Sequence, residues 1–113
     1  MKEDPYTEPL FERRYIAKGS AYAGDWLPWG RALRCRVYLG SKEVAEVRWL
    51  ADGRYSVDLS KPSSEVASIV AELILETAPS STRPGKRPPI ASLIDAPASE
   101  AVALAHELLA IDA

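Results

Sequence analysis

The sequence predicts an α+β domain: a three-stranded antiparallel β-meander, four-stranded if the N-terminal segment joins it, followed by two α-helices, one of which packs on the sheet. Apolar and polar residues alternate in three consecutive runs between residues 31 and 60, as expected for strands with one buried face. From residue 63 onward apolar residues recur every three to four positions, which indicates helices. The length of 113 residues allows one hydrophobic core and not two. We therefore expect residues 1–113 to form a single domain.

The composition excludes several classes of protein. Hydrophobic residues make up 47% of the chain and charged residues 27%, with a net charge of −2, which is typical of a globular domain rather than a disordered chain. No apolar run approaches the roughly 20 residues that cross a bilayer, and the acidic start lacks the basic flank of a signal peptide. Cys35 is the only cysteine, which excludes an internal disulfide framework and a multi-thiolate metal site. We therefore expect a cytoplasmic protein without a metal or another cofactor.

The first 29 residues form an aromatic-rich segment without a sustained period. Its local signals fit either a short helical turn after Pro9 or a strand over residues 13–18. If that strand pairs with the sheet edge, the meander becomes four-stranded. The large aromatic residues of the segment are Tyr6, Phe11, Tyr15, Tyr22, Trp26 and Trp29.

The predicted meander spans residues 31–60. Gly40-Ser41 supplies the turn between its first two strands. Asp52-Gly53 is the signal of a tight hairpin and leads into the third strand. The residues on the apolar faces of the three strands are Leu33, Cys35, Val37 and Leu39, then Ala45, Val47 and Trp49, then Tyr55, Val57 and Leu59.

Two helices are predicted after the meander, over residues 63–78 and 97–112, with a Pro-rich basic loop over residues 79–90 between them. Pro62 and the serines after it favour a helix start, and Pro79 ends the first helix. The first helix is the expected cover of the sheet, because a three-stranded sheet is stable only when its apolar face is covered. The wide apolar face of the last helix then needs another partner, either the N-terminal aromatic residues or a second copy of the chain. That face carries Ala101, Leu104, Ala105, Leu108 and Ile111.

The polar face of the meander is the first candidate binding site. Residues 31–61 hold seven basic and four acidic side chains, a balance of +3, whereas residues 62–113 hold three basic and seven acidic, a balance of −4. A basic sheet face with an aromatic ring is able to bind phosphates and stack a base. Two alternatives stay open: the arginines pair across strands with Glu46 and Asp58, or the face binds an acidic protein. The candidate nucleic-acid contacts are Arg34, Arg36, Tyr38 and Arg48.

The sequence Trp26-Leu27-Pro28-Trp29, which lies between two glycines, is the second candidate. Large aromatic side chains in this setting offer much contact area at little entropic cost, which favours an interface or a ligand platform. They also serve to close the open end of a small core. The cluster therefore has three interpretations: a core plug, a protein interface or a small-molecule site.

The sequence shows no catalytic machinery. Cys35 and His106 are the only thiol and the only imidazole, but Cys35 falls on the apolar face of its strand, where a cysteine behaves as a small hydrophobe. An enzyme would need a pocket that joins groups distant in sequence, as active sites do. The groups considered for such a pocket are Asp25, Arg34, Asp58 and His106.

We therefore predict a small non-enzymatic accessory protein that acts through a protein–protein interface, including self-association as a homodimer. Its small size and its alanine and arginine content suit an accessory gene of a phage or another mobile element. A nucleic-acid-binding module that uses the basic sheet face is the alternative, and a small-molecule-binding protein or enzyme is the third hypothesis. The wide apolar face of the last helix and the N-terminal tryptophans motivate the interface. The candidate interface residues are Trp26, Trp29, Leu104, Leu108 and Ile111.

Overall fold

The structure of the chain, a computed structural model, describes residues 17–59, 63–86 and 92–112. It is an α+β fold, as predicted, and its strands form one antiparallel sheet. The sheet has more strands than the sequence predicted. The additional strands lie on both sides of the meander.

Several expectations concern residues outside the described ranges. They are the helical turn after Pro9, most of the strand over residues 13–18, the end of the meander at residue 60, and residues 87–90 of the Pro-rich loop. The described part of that loop, residues 79–86, contains turns and no strand or helix.

Seven strands and two helices make up the regular structure of the described residues. They are β1 (Ala17–Lys18), β2 (Ala21–Ala23), β3 (Leu27–Trp29), β4 (Ala32–Leu39), β5 (Lys42–Trp49), β6 (Tyr55–Leu59), α1 (Ser64–Thr77), β7 (Ser92–Ala96) and α2 (Ala98–Asp112). The order across the sheet is β1-β2-β4-β5-β6-β7, and β3 also pairs with β4.

Strands β4, β5 and β6 are the three strands of the predicted meander. Cys35, Val47 and Val57 lie opposite one another across them, so the apolar residues share one face. Gly40, in the β4–β5 turn, has a φ of 66°, and Gly53, in the β5–β6 loop, has a φ of 87°. Glycine adopts this left-handed region without a steric penalty. The two glycines therefore make the turns that set the register of the meander.

The N-terminal segment joins the sheet as short pieces. β2 pairs with residues 37–39 of β4, and β3 pairs with residues 32–34 of the same strand. Between the two pieces, the Gly24 N–H donates to the Arg36 carbonyl at 2.8 Å. Pieces of two or three residues are too short to show a period, so the sequence indicated an added strand only as an alternative.

Strand β7 was not predicted. It pairs with β6, and its register against β6 shifts by one residue. Asp95 has a φ of 46°, and its N–H donates to the Ser56 Oγ at 2.9 Å. The Ser56 hydroxyl donates in turn to the Asp95 Oδ1 at 3.1 Å. The bulge at Asp95 interrupts the alternation of the strand and so hides it in the sequence.

Helix α1 begins and ends within one residue of the prediction. The Ser63 hydroxyl caps it by accepting a hydrogen bond from the Val66 N–H at 3.3 Å. The helix packs on β1, β2, β4 and β5. Residues 66–71 are all buried, and six consecutive helical residues point in every direction around the axis. The sheet therefore covers only part of α1, and a second neighbour must cover the rest.

Helix α2 is that second neighbour. It packs along α1 and touches β7, and Leu104 and Leu108 are fully buried. These two leucines were predicted to be interface contacts, and they are core residues of this chain instead, because α2 packs along α1 and buries its apolar face within the same chain. Ile111 stays at the surface with 36% of its area exposed. Neither helix in the described part of the chain is long and apolar enough to span a membrane.

One hydrophobic core lies between the sheet and the two helices. Both helices contribute to it, so both lie on the same face of the sheet. Its largest fully buried side chains are Tyr55, Leu59, Ile69, Leu73, Ile74, Leu104, Leu108, Val37, Val47, Val66 and Val70.

Candidate functional site

The sheet face opposite the helices is called the open face here, because no element of the described residues packs on it. The strand register places its side chains: Arg34 lies opposite Arg48, and Arg36 lies opposite Glu46. Tyr38 follows on the same face of β4. The structure therefore brings the four predicted nucleic-acid contacts onto one face of the sheet.

Glu46 neutralises the centre of the open face. Its Oε2 lies 2.7 Å from the Arg48 Nε, and its Oε1 lies 3.7 Å from the Arg36 Nε. Glu43 adds a third ion pair, with its Oε1 at 3.5 Å from the Arg36 Nε. Asp58 lies opposite Glu46 and makes no ion pair with a described residue. Of the two carboxylates that the cross-strand alternative named, Glu46 therefore contacts both Arg36 and Arg48, and Asp58 contacts neither.

Two tyrosines form one end of the open face. The rings of Tyr22 and Tyr38 stack with centroids 5.4 Å apart and planes at 25°, and the Tyr22 hydroxyl donates to the Gly40 carbonyl at 3.1 Å. A side-chain hydrogen bond to Tyr38, followed by the nearby Glu43 carboxylate, raises the pKa of Arg36. The polar groups at this end therefore interact mainly with one another.

At the other end of the open face, two large apolar side chains are exposed. Leu27 and Trp29, which are two residues apart on β3, lie on this face with 51% and 44% of their area exposed. Trp26 instead packs against the core, and its ring meets Trp49 edge-on with centroids 6.1 Å apart. The core-plug interpretation therefore fits Trp26, whereas Trp29 is a surface residue.

Arg48 connects the charged centre with this apolar end. Its Cζ lies 4.3 Å from the centroid of the Trp29 ring, a cation–π contact, while its Nε donates to the Glu46 Oε2 at 2.7 Å. The two contacts hold the guanidinium in one orientation. We call the surface formed by Leu27, Trp29, Arg34 and Arg48 the Trp29 patch.

Arg34 is the uncompensated charge of the Trp29 patch. It lies directly opposite Arg48 on one side and Leu27 on the other. Like charges at opposed positions of neighbouring strands are destabilising. Within the described ranges, no carboxylate lies within 4 Å of its guanidinium, and its Nε is buried without a hydrogen-bond partner. This end of the sheet is therefore suited to an anionic group next to apolar surface.

The predicted interface residues do not come together on one surface. Trp26 belongs to the core side of the sheet, and Leu104 and Leu108 are fully buried. Trp29 and Ile111 are exposed. They lie on opposite sides of the sheet, since Ile111 belongs to the helix layer.

The groups considered for catalysis are also separated. Cys35 is fully buried, and its thiol donates to the Gly24 carbonyl at 3.3 Å. His106 is exposed on α2, whereas Arg34 and Asp58 lie on the open face, with the sheet between. In the part of the chain that the structure describes, no three His, Cys, Asp or Glu side chains are grouped to hold a metal ion.

Two exposed residues, Leu27 and Ile94, were not among the predicted interface residues. Leu27 shares a face with Trp29 because alternate residues of a strand point to the same side, and this spacing was the available signal. Ile94 is 80% exposed on β7, at the far edge of the sheet. No signal identified Ile94, because its strand was not predicted.

Comparisons with protein-family models, with curated proteins and with solved structures found no match for this chain. An antiparallel sheet with helices on one face does not by itself indicate a function. The function is therefore inferred from the geometry of the Trp29 patch.

Proposed function

We propose that this chain is a non-enzymatic binding protein whose partner is another protein, and that the partner contacts the Trp29 patch. The observation that carries the proposal is the exposure of Leu27 and Trp29 together, next to two arginines. Tryptophan and arginine are enriched among the residues that dominate the binding free energy of protein interfaces. An apolar side chain of a partner would bury this exposed surface, which is favourable in water.

The Trp29 patch is ordered before a partner binds. Leu27 and Trp29 belong to a strand that pairs with β4, and Arg48 is held by Glu46 and the Trp29 ring. Association normally loses free energy through the ordering of side chains at the interface. That loss is smaller for a surface built on strands than for one built on loops.

A second copy of this chain complements the Trp29 patch poorly. A two-fold dimer brings the same surface of both chains together, so a patch that carries two arginines would meet a patch that carries the same two arginines. Arg31 is also exposed in the turn after β3. Because like charges that meet across an interface cost several kcal/mol, a partner that carries carboxylates complements the patch better than a second copy does.

Nucleic acid is the second candidate partner, and the charge balance of the open face disfavours it. Arg36 and Arg48 already contact Glu43 and Glu46. Affinity for nucleic acid depends largely on neutralising phosphates, and paired arginines contribute less to it. The tyrosine rings at this face are stacked on each other.

Selection from a random-peptide display library tests the proposal. Peptides enriched on the wild-type protein are expected to lose about 30-fold or more in affinity for the Trp29→Ala variant, because truncation of a central tryptophan typically costs about 2 kcal/mol or more. Ile94→Ala is the matched control, since it removes an exposed apolar side chain at the opposite sheet edge, and it is expected to bind normally. Equal binding by wild type and Trp29→Ala would contradict the proposal.

Two further measurements with the same variants distinguish the other partners. Light scattering over a concentration series reports self-association, and a dimer that Trp29→Ala abolishes would reassign the patch to a second copy. Binding of a mixed oligonucleotide pool at low salt, lost with Trp29→Ala and with rising salt, would reassign it to nucleic acid.

A further inference from the structure

The Trp29 patch combines an apolar end with two opposed arginines. Arg48 is ion-paired with Glu46, whereas no carboxylate of the described residues lies within 4 Å of Arg34. We infer that it recognises an acidic side chain of the partner, with the carboxylate between Arg34 and Arg48 and an apolar neighbour of that side chain on Leu27 and Trp29. The inference rests on the proposed function, and it specifies the chemistry of the partner at the same site.

The spacing of the two arginines suits a single carboxylate. Arg34 and Arg48 are directly opposed on β4 and β5, and the Cβ atoms of opposed residues lie about 4.5–5.5 Å apart. One carboxylate offers two oxygens with about four acceptor sites. It is therefore able to accept hydrogen bonds from both guanidinium groups, and such charge-assisted bonds are stronger than neutral ones.

The chain itself does not provide that carboxylate within its described residues. Glu46 lies on this face opposite Arg36, and its Oε2 contacts Arg48 while its Oε1 contacts Arg36. Both oxygens are thus directed to arginines other than Arg34. The described residues leave Arg34 opposite a like charge, and an anion from a partner would remove this repulsion.

The distance from Leu27 to the gap between Arg34 and Arg48 predicts how far apart the apolar residue and the acidic residue lie in the partner. Across the sheet the order is Leu27, Arg34, Arg48. With neighbouring strands about 4.8 Å apart, the gap between the two arginines lies about 7 Å from the Leu27 position. Residues two apart in an extended chain are separated by about the same distance, because each rises about 3.3 Å. We therefore expect an extended segment in which a large apolar residue lies two positions from an aspartate or glutamate.

The sequences of the selected peptides test this expectation. Peptides enriched on the wild type are expected to carry an acid two positions from a large apolar residue. Selection on Arg34→Gln is expected to keep the apolar preference and lose the acidic one. For one enriched peptide, replacing its acid by the amide is expected to weaken binding to the wild type by about 10-fold or more and to leave binding to Arg34→Gln unchanged. Arg36→Gln is the matched control, an arginine on the same face that already contacts carboxylates, and it is expected to keep the acidic preference.

A charge reversal guards against a misfolded variant. Arg34→Glu faces Arg48 with an opposite charge, so it is expected to fold, to lose the acidic peptides and to bind peptides with lysine at the acidic position. Arg34→Glu that still binds the acidic peptides would overturn the inference. Peptides that require Trp29 but show no acidic preference would overturn the inference and leave the proposed function standing. Peptides that bind the wild type and Trp29→Ala equally well would overturn the inference and the proposed function. An oligonucleotide whose binding is lost with Arg34→Gln would assign the arginine pair to phosphate instead.

Discussion

Replacing Leu104 by alanine distinguishes a core helix from an interface helix. The Leu104 side chain is fully buried in the core that α2 shares with α1 and the sheet. Leu104→Ala removes an isopropyl group and leaves a cavity, which costs about 2–5 kcal/mol out of a total stability of about 5–15 kcal/mol for a typical domain. The urea dependence of the unfolding free energy is about 1–3 kcal/mol per molar. A loss of about 3 kcal/mol therefore lowers the urea midpoint by about 1–3 M.

Equilibrium unfolding in urea, followed by far-ultraviolet circular dichroism, measures this loss. Ile111→Ala is the matched control, since Ile111 lies on the same helix and is 36% exposed, and its expected loss is under about 1 kcal/mol. A loss under about 1 kcal/mol for Leu104→Ala, combined with a change of oligomeric state in light scattering, would refute the packing of α2 on α1. The last helix would then belong to an intermolecular interface.

Three further predictions use the same unfolding assay. Burial raises the pKa of Tyr55, so the stability that the neutral phenol contributes is complete below about pH 10 and is lost as the pH rises through the raised pKa. Tyr55→Phe is expected to flatten this decline of the unfolding free energy. Equal declines in the wild type and in Tyr55→Phe would contradict the prediction. Arg34→Glu creates an opposite-charge pair with Arg48 and is expected to raise the unfolding free energy by about 0.5–1 kcal/mol at low salt, with a smaller gain at about 1 M salt; a loss of stability would contradict it. Ser63→Ala removes the cap of α1 and is expected to cost about 1 kcal/mol, whereas Ser64→Ala, at an exposed position, is expected to cost little; equal losses would contradict the cap.

Periodicity predicted the elements that are long and amphipathic. The helix expected over residues 63–78 is α1, Ser64–Thr77, and the one expected over residues 97–112 is α2, Ala98–Asp112. The strands of the meander follow from strict alternation and from turn glycines. These signals are local, so no knowledge of the rest of the chain was needed to interpret them.

The remaining strands depend on tertiary pairing. β1, β2 and β3 have two or three residues each. β2 and β3 are strands because β4 offers them backbone partners, and β1 is a strand because β2 does. β7 is long enough to show alternation, but the bulge at Asp95 interrupts it. A local pattern does not reveal either feature.

The sequence predicted which arginines share the open face, but not which contacts each of them makes. Alternation placed Arg34, Arg36 and Arg48 on one face. Which of them lacks a carboxylate depends on register, since Glu46 lies opposite Arg36 rather than Arg34. The wide apolar face of the last helix was likewise a sound expectation. A pattern shows that such a face is buried and does not show against what, and here α1 covers it.

The packing of α2 along α1 has a consequence for the growing chain. A ribosome completes the meander and α1 before it begins β7 and α2, because the chain order places them last. Until α2 has emerged, a nascent chain with a formed α1 exposes the flank of that helix that α2 later covers. Exposed apolar surface of this kind is what makes incompletely folded chains prone to aggregate. Protection of this flank during translation therefore depends on how quickly the residues after α1 are synthesised.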